Sequence, residues 1–341
     1  MQQKQDISRK IRSLFMIFVG LLVSVFFLFL TFRKIQFQAL MNEFFKIRWE
    51  ILVLSLFSTF SGFIFMTFRT KVLTKTLGLT DFTTLFKSVF VAFVGNIVFP
   101  FRIGEIMRVD YLSRYCGKKI PHTASLAVIV VERLFDLIVL MLLALTILPL
   151  TIIGIPKNIS LYVGGVLVFF MLIVMMLIAR YPKKTIILMK PFVGLFGKRL
   201  SGFILDKIEL FTLGLSSLSS FWSVFLVFLF SFAYWLSPIV SAQIWLWAFS
   251  IQLSWYAPIV IILFSALGVL LPSTSAFVGT YHYFVATALV LLGVSKLQSA
   301  SFAIVGHAMS LLPFAFFGIV LLFGDFVNGK LKANKKIVTK E

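Results

Sequence analysis

Apolar runs long enough to cross a bilayer recur from one end of the chain to the other, at 14–32, 51–68, 121–153, 161–179, 221–236 and 302–323. Hydrocarbon offers no hydrogen-bond partner, so each run must satisfy its backbone N–H and C=O groups internally, as a helix does. With 60% of its 341 residues hydrophobic and 13% charged, the chain cannot be a water-soluble domain. An all-α polytopic membrane protein is expected, one integral membrane domain spanning 1–341. The opening polar flank 1–12 lacks the short core and small-residue cleavage site of a secretory signal, so the first run reads as an uncleaved span.

Two further apolar segments are interrupted. Segment 82–99 carries Lys87, Gly95 and Asn96 and stops at Pro100; segment 257–271 ends at Pro272, and 273–292 follows it. Both suit helices that enter the membrane part-way and turn back. They also resemble one another. Ala92-Phe-Val-Gly95 leads to Pro100, Ser265-Ala-Leu-Gly268 leads to Pro272, and a second glycine follows each, Gly104 and Gly279. This pattern suggests an inverted repeat with a central site. Half 1 would be about 1–180, an interfacial cytoplasmic connector about 181–216, half 2 about 217–329, and a basic cytoplasmic tail 330–341.

The net charge of +20 would suggest nucleic acid in a soluble protein. Here the Lys and Arg residues sit in short flanks beside apolar runs, where anionic lipid and orientation account for them. Cations crowd 180–207 and the tail, whereas the loop at Lys157 has one. Those two regions and 100–121 are therefore expected inside, with both termini cytoplasmic. Segment 238–255, with Trp245, Trp247 and Trp255 and no Lys or Arg, reads as an outer-interface aromatic belt. The single Cys116 excludes an internal disulfide framework and a cysteine metal site.

Against this background the charges of 102–136 stand out. Arg102, Glu105 and Arg108 recur every three residues, about a helical turn apart, and Glu132, Arg133 and Asp136 interrupt the long apolar run. Each such charge costs about 2.5–3.5 kcal/mol near the bilayer centre on insertion scales, so it must pair, bind something, or both. Glu132 and Asp136 share a helix face and need a cation between them, for which Arg102 or Arg108 is the natural donor. One outcome is an ion-pair knot clamping the broken helix to the long one. The other adds a phosphate-bearing head group held by Arg102 and Arg108, with half-helix N-terminal amides assisting.

His122, His282 and His307 are widely spaced, without an HExxH pattern, and read as hydrogen-bonded polar residues in a cavity. Ser273 opens a Ser-Thr-Ser cluster that either caps the next helix or faces a polar ligand. No P-loop is present. The residues imply no catalytic group, no metal and no cofactor.

Pro100-Phe-Arg-Ile-Gly-Glu-Ile-Met-Arg108, followed by Val131-Glu-Arg-Leu-Phe-Asp136, resembles the paired signature of the lysylphosphatidylglycerol synthase transmembrane-region, or flippase-like, family. Leu271-Pro-Ser-Thr-Ser-Ala-Phe-Val-Gly-Thr-Tyr-His282, then Leu292-Gly293, Gly306-His307 and Pro313, is similar to its second signature. The chain departs at Ser275-Ala-Phe-Val, where that signature usually has Pro-Gly and a further Gly. The resemblance implies about eight transmembrane helices with two re-entrant or broken ones. It also implies a protein that moves or binds phospholipids, glycolipids or polyprenyl-linked lipids in the cytoplasmic membrane of a bacterium or archaeon. A soluble aminoacyl-transferring domain follows in synthases; none is seen before residue 341, so synthase activity is not expected. The expected function is lipid translocation, with Arg102, Glu105, Arg108, Glu132, Arg133, Asp136, Ser273, Gly279, His282 and His307 as substrate-binding residues. The alternatives are a membrane-embedded hydrolase or lipid-linked transferase, or an accessory subunit of a lipid-modifying enzyme.

Overall fold

Among the described residues, the long apolar runs are helical. The structure, a computed structural model, describes residues 18–79, 81–115, 120–151, 157–194, 215–271 and 273–327. The polar flank 1–12, Cys116, Pro272, much of the connector and the tail 330–341 lie outside them.

Every regular element among the described residues is helical. In chain order these are α1 (Phe18–Phe32), α2 (Phe37–Phe45), α3 (Trp49–Thr74), α4 (Phe82–Val98), α5 (Ile103–Tyr115), α6 (His122–Thr151), α7 (Lys157–Arg180), α8 (Pro182–Gly194), α9 (Phe221–Ala248), α10 (Ala257–Leu270), α11 (Thr280–Leu291) and α12 (Lys296–Val327). Short 3-10 turns fill Lys75–Leu77, Ser216–Ser219 and Ser275–Phe277. Three helical stretches are long and apolar enough to cross a membrane: Trp49–Leu77, Phe221–Ala248 and Lys296–Gly318. α1 and α2 form a further pair, bent by 76°. The chain is a multi-pass membrane protein.

Several boundaries differ from the sequence expectation for physical reasons. The second span continues past Phe68 because Arg69, the first charge after the apolar run, is neutralised inside the protein. Thr70 and Thr74 also return their hydroxyls to the Met66 and Thr70 carbonyls. α9 runs through Pro238 as one helix, so the Trp-rich stretch is partly helix interior. Trp245 is buried, edge-on to Phe302 at 6.0 Å, while Trp247 and Trp255 are exposed. α4 and α10, of 17 and 14 residues, would be roughly 26 and 21 Å long. Both fall short of a ~30 Å hydrocarbon layer.

Two compact units emerge from interleaved segments. The first comprises Met1–Phe60, Phe90–Glu105 and Pro238–Glu341. In it α11 packs on α10 and α12, and α2 on α12. The second comprises Ser61–Val89 and Ile106–Ser237. Its core joins Leu73, Val128, Val131, Phe135, Leu218 and Val227, with Leu172 and Met176 packed against it.

In the second unit, Asp81 caps α4. Its Oδ2 accepts the Thr84 N–H at 2.8 Å and the Thr84 hydroxyl, and those bonds hold the carboxyl below its ordinary pKa. Asp81→Ala should cost about 1 kcal/mol in thermal stability. Because the folded-state pKa is depressed, this contribution is present above the unfolded pKa and fades as pH falls through the folded one. Melting curves of both proteins should converge at low pH.

Candidate functional site

Three helices of the second unit deliver charge to one point, and α9 adds neutral polar and aromatic partners. Arg108, on α5, grips Glu132 with both arms: Nη1 donates to Oε2 at 2.6 Å and Nη2 to Oε1 at 3.1 Å. The Arg108 Nη2 also reaches the Thr70 hydroxyl oxygen at 2.7 Å. Arg69, on α3, donates from Nη1 to Asp136 Oδ1 at 2.6 Å and to Ser231 Oγ at 3.1 Å. Its Nη2 stands 3.5 Å from Glu132 Oε2, and its guanidinium lies 5.4 Å from the Tyr234 ring centre. Trp235 adds an N–H to Asp136 Oδ1 at 3.1 Å.

Arg69, Arg108 and Glu132 are wholly buried, and Asp136 is 4% exposed. Two guanidinium groups and two carboxylates thus cancel inside the protein. Arg133, with its side chain 35% exposed, touches Asp136 Oδ2 from the rim at 3.2 Å. The cation between Glu132 and Asp136 is therefore Arg69, which sequence reasoning did not single out. Its only signal was a charge directly after an apolar run whose helix does not stop there. Arg108 is committed to Glu132 and Thr70 here, which suits a clamp better than a ligand contact.

The first unit holds both breaks, and they share a geometry. After α4, Phe101 and Arg102 take left-handed backbone angles (φ 59° and 56°); after α10, Ala276 and Phe277 do so (φ 56° and 58°). Non-glycine residues adopt this conformation rarely, at roughly 1–2 kcal/mol each. Arg102 therefore precedes α5 and does not share its helical face, despite the three-residue spacing.

Each break also caps the other's helix. Arg102 Nη2 donates to the Val269 carbonyl at 2.7 Å, in the last turn of α10, and Ser275 Oγ donates to the Val98 carbonyl at 3.0 Å, at the end of α4. A helix C-terminus leaves such carbonyls without intrahelical partners, and a guanidinium also suits its negative dipole end. The Asn96 side-chain oxygen accepts the Gly104 N–H at 3.0 Å. A side chain at Gly104 would strike the Ala92 carbonyl, so α5 could not start so close to α4. Between the breaks lies a pocket of about 210 Å³ lined by Phe101, Arg102, Leu270, Leu271, Ser273 and Phe277.

A family model, Lysylphosphatidylglycerol synthase TM region, matches residues 17–318. The chain belongs to that family. No curated protein and no solved structure matches it.

Of the remaining residues expected at the site of this lysylphosphatidylglycerol synthase TM-region protein, Ser273, Gly279, His282 and His307 fall around the second break. His307 donates its Nε2 hydrogen to the Ala276 carbonyl at 2.8 Å and stacks on Tyr281 with ring centres 4.6 Å apart. His282 Nδ1 accepts the Gly279 N–H at 3.3 Å, and its ring meets His307 edge-on at 4.7 Å. Both imidazoles thus hold the backbone of the break. His122 bonds to Asp110 at 3.0 Å and to Ser113 at 3.3 Å. Among the described residues, no three His, Cys, Asp or Glu side chains converge as a metal would require. Glu105 is half-buried in the first turn of α5.

Gly279 sits at φ +93°, ψ −66°, where a Cβ would strike the Ser24 carbonyl. Ser24 itself bonds to Thr274, hydroxyl to hydroxyl at 2.9 Å and from the Thr274 N–H at 3.1 Å. Gly279→Ala should therefore cost about 2 kcal/mol or more through backbone strain and that collision. A lowered melting temperature of the purified protein checks it.

Proposed function

We propose that this chain is a lipid translocase that takes the anionic head group of a phospholipid, glycolipid or polyprenyl-linked lipid across the cytoplasmic membrane of a bacterium or archaeon. In this reading about eight helices cross, the two breaks form an inverted repeat of gates, and both termini are cytoplasmic. Membership of a lipid-related family supports it.

The observation that carries it is the pocket between the breaks. Its lining is mixed: Phe101, Leu270, Leu271 and Phe277 are apolar, whereas Arg102, whose guanidinium lies 5.7 Å from the Phe277 ring centre, and Ser273 are polar. Ser273 is 3% exposed, yet its hydroxyl has no hydrogen-bond partner among the described residues. A guanidinium carries five N–H donors, enough to hold a helix-end carbonyl and a phosphate oxygen together. An amphiphile with a phosphate and hydrocarbon matches that mixture. Arg102 is the anion contact, while Arg69, Arg108, Glu132 and Asp136 keep α3, α5, α6 and α9 together. His282 and His307 shape the second break and perform no chemistry on the lipid.

The test is scrambling of head-group-labelled phosphatidylglycerol in proteoliposomes containing the intact protein. Label should reach the opposite leaflet faster than in protein-free vesicles; equal rates would discard translocation.

A further inference from the structure

α1 leads from the Arg102 pocket to a second recess in the same unit. At one end, a Cβ on Gly20 would lie 3.4 Å from the Ser273 carbonyl and 3.5 Å from the Phe101 ring. Twelve residues later Phe32 joins Ile35, Phe37, Leu40 and Ile304 around a recess of about 290 Å³. At 1.5 Å per residue the two ends of that path are about 18 Å apart, much of the ~30 Å hydrocarbon thickness.

The residues lining this recess are all apolar; the turn between Phe32 and Ile35 is not. The turn from α1 to α2 carries Arg33 and Lys34, the latter left-handed at φ 68°. Lys296, at the start of α12, donates from Nζ to the Arg33 carbonyl at 3.0 Å. It lies close enough for the charges of Arg33 and Lys34 to act on it. All three side chains belong to exposed residues, and none forms a salt bridge among the described residues. Glu43, further along α2, is paired with Lys46 at 2.6 Å.

Three like charges at one turn, beside this recess in the chain, repel each other and invite an anion between them. α2 bends away from α1 by 76°, with Leu40 buried and Phe37 and Phe45 exposed, as suits a helix lying in the head-group layer.

We infer that this corner is a second lipid site, in which an anionic phospholipid seats an acyl chain among Phe32, Ile35, Phe37, Leu40 and Ile304 and its phosphate among Arg33, Lys34 and Lys296. The inference rests on the lipid reading above and adds a station at another membrane depth, where the head group is received or released. Zwitterionic lipids fit the recess but leave the cations uncompensated, so the site selects for net negative charge.

Native mass spectrometry of the full-length protein in neutral detergent, titrated with dioleoyl-phosphatidylglycerol, tests this. Two tightly held lipids per chain are expected. Combining Arg33→Gln, Lys34→Gln and Lys296→Gln should weaken one by about tenfold or more and leave the other. Leu40→Trp, which fills the recess with the charges intact, should remove the same one. Arg102→Ala should remove only the other. Two lipids retained in both the triple variant and Leu40→Trp would overturn the inference, whatever Arg102→Ala does. Loss in those variants with no loss in Arg102→Ala would uphold this site and remove the pocket between the breaks from the translocation reading. Equal uptake of dioleoyl-phosphatidylcholine by the wild type would also overturn it.

Discussion

Glu132→Gln is expected to destabilise the protein by about 3–5 kcal/mol, the cost of leaving a buried charge uncompensated. The carboxylate takes both arms of Arg108 and lies 3.5 Å from Arg69, and no part of these three side chains reaches solvent. Neutralising it leaves two guanidinium groups facing one remaining buried carboxylate, Asp136. Removing both members of the Arg108–Glu132 pair, by Arg108→Met with Glu132→Leu, should restore much of the loss, since a packed apolar pair approaches a buried ion pair in stability. Thermal unfolding in detergent reads both effects. If Glu132→Gln melts with the wild type, the four charges are not what secures these helices.

Arg102→Ala should lower anionic-lipid transport in addition to removing the cap on α10. The residue is half-buried, and it lines the pocket between the breaks. A hydrogen bond to a charged group contributes about 1.5–3 kcal/mol, so anionic-lipid translocation should fall roughly 10- to 150-fold. Arg102→Lys keeps the charge but loses the planar fork and should lie between. Scrambling of labelled phosphatidylglycerol and phosphatidylcholine, compared in parallel, gives the decisive measurement. An equal drop for both lipids would mean that Arg102 supports the break alone and does not select the head group.

Much of this was legible in the residues. Gly95, Pro100 and Gly104 place the first break, and 82–99 and 257–271 match α4 and α10 within a residue at each end. Glu132 and Asp136 on one helical face required a cation between them. The identity of that cation was not legible, because Arg69 and Asp136 are 67 residues apart in the chain and only tertiary packing joins them. The left-handed pair Phe101 and Arg102 was hidden for another reason. Neither residue favours that conformation, so nothing local announces it. α2 escaped notice because its apolar face is short and follows α1 after only a tight turn.

The exchange of caps between Arg102 and Val269, and between Ser275 and Val98, carries a consequence for motion. Neither loop can swing away without exposing a carbonyl on its counterpart, so moving one alone forfeits hydrogen bonds belonging to both. The two are therefore fastened to each other like a clasp, and displacing either one costs a bond that its counterpart uses.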